Sequence, residues 1–370
     1  MINTYIPYLN FNEKKYILNC FKTNFISTAG PEVEKFEKEF CKKYDFKYAV
    51  ALNSGTSALH LALLVNDIGI NDMVVTPSYT FAATANAINY TGAKPYFFDC
   101  SKELFLDLNL LKEYFKKKNI LRKNKLKRQS NKIKAIMPVL TMGQNIDFEK
   151  YEKFAKKNFM KIIFDSAACH DPGIIKKKKN SKSIFCFSFN GNKTLTCGSG
   201  GILATNSQLI AKKARILSTV GKKRGNYDYE IIGYNYKMTN LQASLGLAQL
   251  KNLDNILKKK KEIFDYYKKK IRKNENFEII YNKKYVNWVF ALILKKKKLF
   301  KTIKEIFNSK SIQLDFFWKP LHLQKPYKNF KKTNMRISEN IWDRVLILPS
   351  HPNINKSEQD KICNIINSIK

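Results

Sequence analysis

Between residues 48 and 165 the chain alternates short apolar runs with stretches of helical spacing, and that alternation leaves few folds open. Runs at 48–52, 73–76, 95–98, 133–139 and 161–165 read as buried strands, and helical stretches at 81–90, 108–118 and 148–157 separate them. Strand and helix in alternation predict an α/β fold, a mostly parallel sheet covered by helices on both faces. Such sheets bind ligands at the carboxyl ends of their strands. Asp165, which ends one run, and the Ser54-Gly55-Thr56 turn, which follows another, are expected at the same sheet edge.

The turn opens a helix, Asn53-Ser54-Gly55-Thr56-Ser57-Ala58-Leu59-His60. Free backbone N–H groups there, with small residues that allow close approach, would cradle a phosphate; a plain Ser/Thr N-cap is the other reading. A further apolar run, 184–187, leads into Ser188-Phe189-Asn190-Gly191-Asn192-Lys193-Thr194 and then a short run at 202–204. A lysine on a turn between two core strands loses hydration, so its ammonium form becomes less favourable and its amine becomes a nucleophile towards an aldehyde. An ordinary loop lysine is the alternative for Lys193. Elsewhere, Pro31 with Glu32 and Glu34 starts a helix that repeats Val33, Phe36, Phe40 and Tyr44 on one face. The first thirty residues are mixed, 116–134 reads as an exposed basic turn, 208–218 as a helix and 221–230 as a polar loop. The helix at 241–250 is rich in small residues, suited to a subunit interface. From about residue 251 the texture changes to a long basic helix followed by strands at 277–281 and 288–294. This predicts a large domain over 1–250 and a smaller C-terminal α+β domain over 251–370.

The net charge of +38 comes from 68 Lys and Arg against 30 Asp and Glu. An excess of that size suggests nucleic acid or anionic surfaces. Here the lysines are spread along the chain in short runs, with no recognisable nucleic-acid motif, so no nucleic-acid partner is expected. Seven cysteines without paired spacing argue for reduced thiols, and the four histidines form no zinc-ligand spacing with them, so no metal is expected. No apolar run approaches a membrane span and no signal-peptide pattern is present, which predicts a cytoplasmic protein without a membrane partner.

Four stretches in order, Asn53-Ser54-Gly55-Thr56-Ser57-Ala58-Leu59, Thr80-Phe81-Ala82-Ala83-Thr84-Ala85-Asn86, Ser188-Phe189-Asn190-Gly191-Asn192-Lys193 and Gly233-Tyr234-Asn235-Tyr236-Lys237-Met238, resemble the DegT/DnrJ/EryC1/StrS sugar aminotransferases. The resemblance covers nearly the whole chain and implies the fold type I of pyridoxal phosphate enzymes, like that of aspartate aminotransferase. It implies that Lys193 holds pyridoxal 5'-phosphate covalently and moves the catalytic proton, while Asp165 pairs with the ring nitrogen. Phe81 would stack on the ring. Gly55, Thr56 and Ser188 would bind the phosphate, and Asn235 would reach it from the neighbouring subunit of a homodimer with shared active sites. His322, in Pro320-Leu321-His322, is a candidate substrate contact by similarity to GDP-perosamine synthases; a satisfied surface histidine is its alternative. Three positions depart from the family pattern: Ala168 where a polar residue often approaches the ring, Ser199 where an acid is usual, and Lys237 in place of Arg.

The implied reaction replaces the 4-keto group of a nucleotide-linked 4-keto-6-deoxy sugar with an amine from L-glutamate, for surface polysaccharide. Similarities divide between GDP-perosamine synthases and enzymes that aminate UDP-linked sugars. A sugar dehydratase of the same fold would carry histidine in place of Lys193. A catalytically silent binding or regulatory protein of this fold is disfavoured by the joint presence of Lys193, Asp165 and Asn235.

Overall fold

The computed structural model describes residues 1–119, 132–176, 182–222, 227–229, 231–272, 275–314 and 317–369. Most of the basic stretch 116–134, part of the polar loop 221–230 and part of the lysine run 176–179 lie outside these described residues.

Seven strands form the principal sheet: β1 (Tyr48–Leu52), β2 (Asp72–Pro77), β3 (Lys94–Phe98), β4 (Lys132–Ile136), β5 (Lys161–Asp165), β6 (Ile184–Ser188) and β7 (Gly201–Thr205). Their spatial order is β1-β7-β6-β5-β4-β2-β3. β3, β2, β4, β5 and β6 pair in parallel, and β7 runs antiparallel between β1 and β6. Alternate side chains of each strand serve opposite faces. In β1, Ala49 and Ala51 join Phe36 and Phe40 on one face, whereas Val50 and Leu52 join Leu59, Leu61 and Leu63 of the Gly55–Leu64 helix on the other. The lysine loop, 189–200, is therefore the connection of the antiparallel β6/β7 pair, and it emerges at the carboxyl end of β6.

β4 is shorter than the run at 133–139. Pro138 has no N–H to give to a ladder, and the chain turns there, leaving Val139 a single bridge to Asp165.

A second, antiparallel sheet joins β8 (Phe277–Ile280), β9 (Phe290–Leu294) and β10 (Val345–Leu348), with β9 central. It packs on the Leu253–Lys270, Lys298–Ser309 and Lys356–Asn367 helices around Phe264, Tyr267, Phe290, Ile303 and Ile362. Ile2 belongs to the same cluster: its N–H donates to the Ser311 carbonyl at 2.8 Å and its carbonyl accepts from Gln313 N at 2.8 Å. Among the described residues no helix is long and apolar enough to cross a membrane.

Candidate active site

β2, β4, β5 and β6 all point their carboxyl ends into one cavity of about 190 Å³, whose lining includes Gly55, Thr56, Phe81, Asp165, Ser188 and Lys193. Six of the eight residues singled out in the sequence thus converge.

Asp165 is the last residue of β5 and is 4% exposed. Its Oδ2 accepts from Thr84 Oγ1 at 2.8 Å and its Oδ1 from Ala167 N at 3.2 Å. Burial pushes its carboxyl pKa up, and these two bonds together with the Lys193 charge hold it down in part. Lys193 is half-buried on the β6/β7 loop, its Nζ 3.7 Å from the centre of the Trp288 ring. Burial pulls its pKa down to about 8, against a smaller opposing pull from Asp165. Trp288 is fixed in turn by a bond from its Nε1 to the Asn192 carbonyl at 2.8 Å.

The phosphate cradle follows from the helix start. Ser54 caps the Gly55–Leu64 helix by accepting from Ser57 N, which leaves the Gly55 and Thr56 N–H groups to the cavity end. A Cβ on Gly55 would lie 2.7 Å from Ser188 Cβ, so only glycine lets β1's helix and the end of β6 come this close. Backbone bonds from Asn53 N to the Tyr236 carbonyl (2.8 Å) and from Met238 N to the Ala51 carbonyl (3.3 Å) hold the 233–238 segment against the same turn. Within that segment, Asn235 is exposed and lies outside the cavity lining, its carbonyl accepting from Asn53 Nδ2 at 3.2 Å. Phe81 is 57% exposed at the N-cap of the Ala82–Tyr90 helix, its ring 5.8 Å from that of Trp318.

The structure does not bring His322 to this cavity. It is 1% exposed, with Nδ1 2.6 Å from Ser78 Oγ and Nε2 3.0 Å from Glu339 Oε1. Both ring nitrogens are engaged, so it is neither the expected substrate contact nor a surface histidine; it ties the 320–323 turn to the loop after β2. Ala168 lines the cavity and offers no polar side chain, as expected from the sequence, while Ser199 Oγ donates to the Asn53 carbonyl at 2.9 Å. Sequence reasoning missed Thr84 and Trp288. The Thr80/Thr84 pair, four residues apart with hydroxyls 2.9 Å from each other, is a helical signal that could have exposed the first; Trp288 arrives from the second sheet region and has no local signal.

An amine of lowered pKa, a buried carboxylate in reach of the same cavity and open amides at a helix start fit an aromatic aldehyde that carries a phosphate. The family model of the DegT/DnrJ/EryC1/StrS aminotransferases matches residues 7–367. The GDP-perosamine synthase of Caulobacter vibrioides is 31% identical over 380 residues, covering 100% of this chain and 98% of that protein. The UDP-4-amino-4,6-dideoxy-N-acetyl-beta-L-altrosamine transaminase of Campylobacter jejuni (strain 81-176) is 30% identical, covering 93% of this chain and 92% of that protein. The solved structure of a DegT DnrJ EryC1 StrS aminotransferase from Brucella abortus superposes with a TM-score of 0.85 at 25% identity, covering 96% of this chain and 94% of that one. By its full-length match and by the architecture that carries these residues, the chain belongs to the DegT/DnrJ/EryC1/StrS aminotransferase family.

Proposed function

We propose that the chain transfers an amino group from L-glutamate to the 4-keto carbon of a nucleotide-linked 4-keto-6-deoxy sugar, for surface polysaccharide synthesis. Its family makes it a pyridoxal phosphate-dependent sugar aminotransferase; the donor, the carbon aminated and the nucleotide belong to the proposal. The observation that carries it is the meeting of Lys193 and Asp165 in one cavity.

Pyridoxal phosphate, when bound, supplies an aldehyde for amine exchange and a ring that withdraws electrons from the carbon losing its proton. Lys193 would hold it, and as a free base of low pKa would take a proton from the substrate carbon and deliver it to the cofactor's former aldehyde carbon, on the other side of the shared nitrogen. Asp165, fixed by Thr84 and the Ala167 amide, would keep the ring nitrogen protonated. The Gly55 and Thr56 amides with Ser188 Oγ would bind the phosphate, and Phe81 would cover the ring. In this reading residues 1–250 form the cofactor domain and 251–370 the smaller one, and the protein works in the cytoplasm as a homodimer. The exposed position of Asn235 outside its own cavity supports its reaching the site of the neighbouring copy.

The test is glutamate-dependent amination across GDP-, UDP- and dTDP-linked 4-keto-6-deoxy sugars. Formation of a 4-amino sugar from one of them is expected; turnover of none, by protein that still binds pyridoxal phosphate, overturns the substrate reading. Mixing Lys193→Ala with Asn235→Ala protein tests the shared site, because mixed dimers would recover one intact site and some activity.

A further inference from the structure

Lys193 and Trp288 also border a second, smaller and partly open cavity of about 20 Å³, to which the N-terminal residues 4–6 and 8 contribute. Asn192, Lys193 and Trp288 line both, so the lysine loop is the wall between them. The far side of the small cavity is built by Lys260 of the Leu253–Lys270 helix and by Ser350 and His351, just after β10.

Lys260 is 4% exposed, and the bond its Nζ makes is to the Ser350 carbonyl at 3.0 Å. An ammonium has three donors, so two are left to the cavity side or to the Phe264 ring, whose centre is 5.3 Å away. His351 is 7% exposed and its Nδ1 is buried without a hydrogen-bond partner. Among the described residues no carboxylate lines this cavity. The carboxylate that acts on His351, Glu358, accepts from Asn355 N at 3.0 Å as part of a helix cap. A buried cation without a counter-charge is costly. Two lysines and a histidine with an unpartnered Nδ1 surround a space large enough for a single small occupant, with N–H donors to spare and no carboxylate among the described lining residues.

We propose that this cavity is a binding site for one compact monovalent anion, held by Lys260 and His351 with Lys193 on its near wall. The same chemistry could come from a free halide or from the carboxylate of the amino donor. The halide alternative is independent of the proposed function, whereas the donor alternative rests on its reading of L-glutamate as donor. Burial alone draws Lys260 down to about 7, and nothing anionic offsets it, which is the electrostatic state an anion would relieve. An occupant would also favour the protonated form of Lys193 across the wall, so it would report on the reactive amine.

The test is anomalous diffraction from crystals of the full chain loaded with pyridoxal phosphate and soaked in sodium bromide, paired with unfolding temperature against sodium bromide at constant ionic strength. The expected result is a bromide between Lys260 Nζ and His351 Nδ1 and a halide-dependent rise in unfolding temperature that Lys260→Met abolishes. The Lys260→Met chain loses a buried charge for an apolar side chain of similar length, so it should fold, and circular dichroism checks that it does. Displacement of the bromide by glutamate assigns the site to the donor carboxylate, and persistence assigns it to free halide; both support an anion site. A water in the cavity at saturating bromide, or an equal halide response in Lys260→Met, overturns it.

Discussion

At pH 8 an ordinary lysine of pKa near 10.4 keeps only about half a per cent of its side chains as free amine, whereas one held near 8 keeps roughly half. The capture of pyridoxal phosphate by Lys193 should therefore rise with pH through about 8 and level off well before 10. The check is the rate at which visible absorbance develops when the cofactor is added to protein freed of it, with the Lys193→Ala signal subtracted because the chain is rich in lysine. Removing the proton carrier in Lys193→Ala should also lower amination by at least about 10²-fold. Asp165→Asn keeps the shape and removes the charge, and we expect a loss of about 10²–10³ in kcat. Thr84→Val leaves the carboxylate in place without its 2.8 Å donor and should cost about tenfold, the size of one hydrogen bond to a charged group. If Thr84→Val matched Asp165→Asn, the hydroxyl would have a larger part than holding the carboxylate.

Among the elements, the close approach of the Gly55–Leu64 helix to the end of β6 constrains the site. Gly55→Ala would force a methyl to 2.7 Å from Ser188 Cβ, so we expect about 1–3 kcal/mol lost in urea unfolding and weaker retention of pyridoxal phosphate on dialysis. Unchanged retention would remove this turn from the phosphate site. The elements that build this region were largely legible in the sequence. β1 and β5 keep the limits read from their apolar runs, because both are buried over most of their length and so leave continuous hydrophobic segments, although β1 pairs antiparallel and β5 in parallel. The Phe11–Thr23 helix was not read, although Asn10 and Glu13 form a capping box at its start; Phe11, Leu18 and Phe21 are exposed and blur its apolar face. β10 was missed because a four-residue run ending before Pro349 carries little signal without its partner β9. The same limit applies to the site: Lys193 and Asp165 stand in local motifs, while Trp288 and the true surroundings of His322 depend on contacts made across the fold.

Across the whole molecule, charge and burial set the response to solution conditions. Burial lowers His60 to about 4 and His170 to about 3. Between those values and 6.5 the unfolded chain binds protons that the folded chain does not, so stability rises with pH through this window and is lost on acidification. Each histidine contributes at most about 1.4 kcal/mol per pH unit. Urea midpoints should fall from pH 7 to pH 5, and less so in His60→Gln. The net charge of +38 should draw in an anionic nucleotide sugar, so kcat/KM should decline as sodium chloride is raised, more than kcat does.

The pairing of residue 2 with residues 311 and 313 bears on the order in which this protein is made. A ribosome has to deliver more than three hundred residues before Ile2 meets the cluster that buries it, and the principal sheet has all its strands long before that. The first residues must then stay unpaired until that point, when β10 and the Lys356–Asn367 helix, which share the cluster, have still to be made. Their arrival ties the start of the chain to the second lobe, so Ile2→Ala should loosen that lobe while leaving the earlier sheet to form.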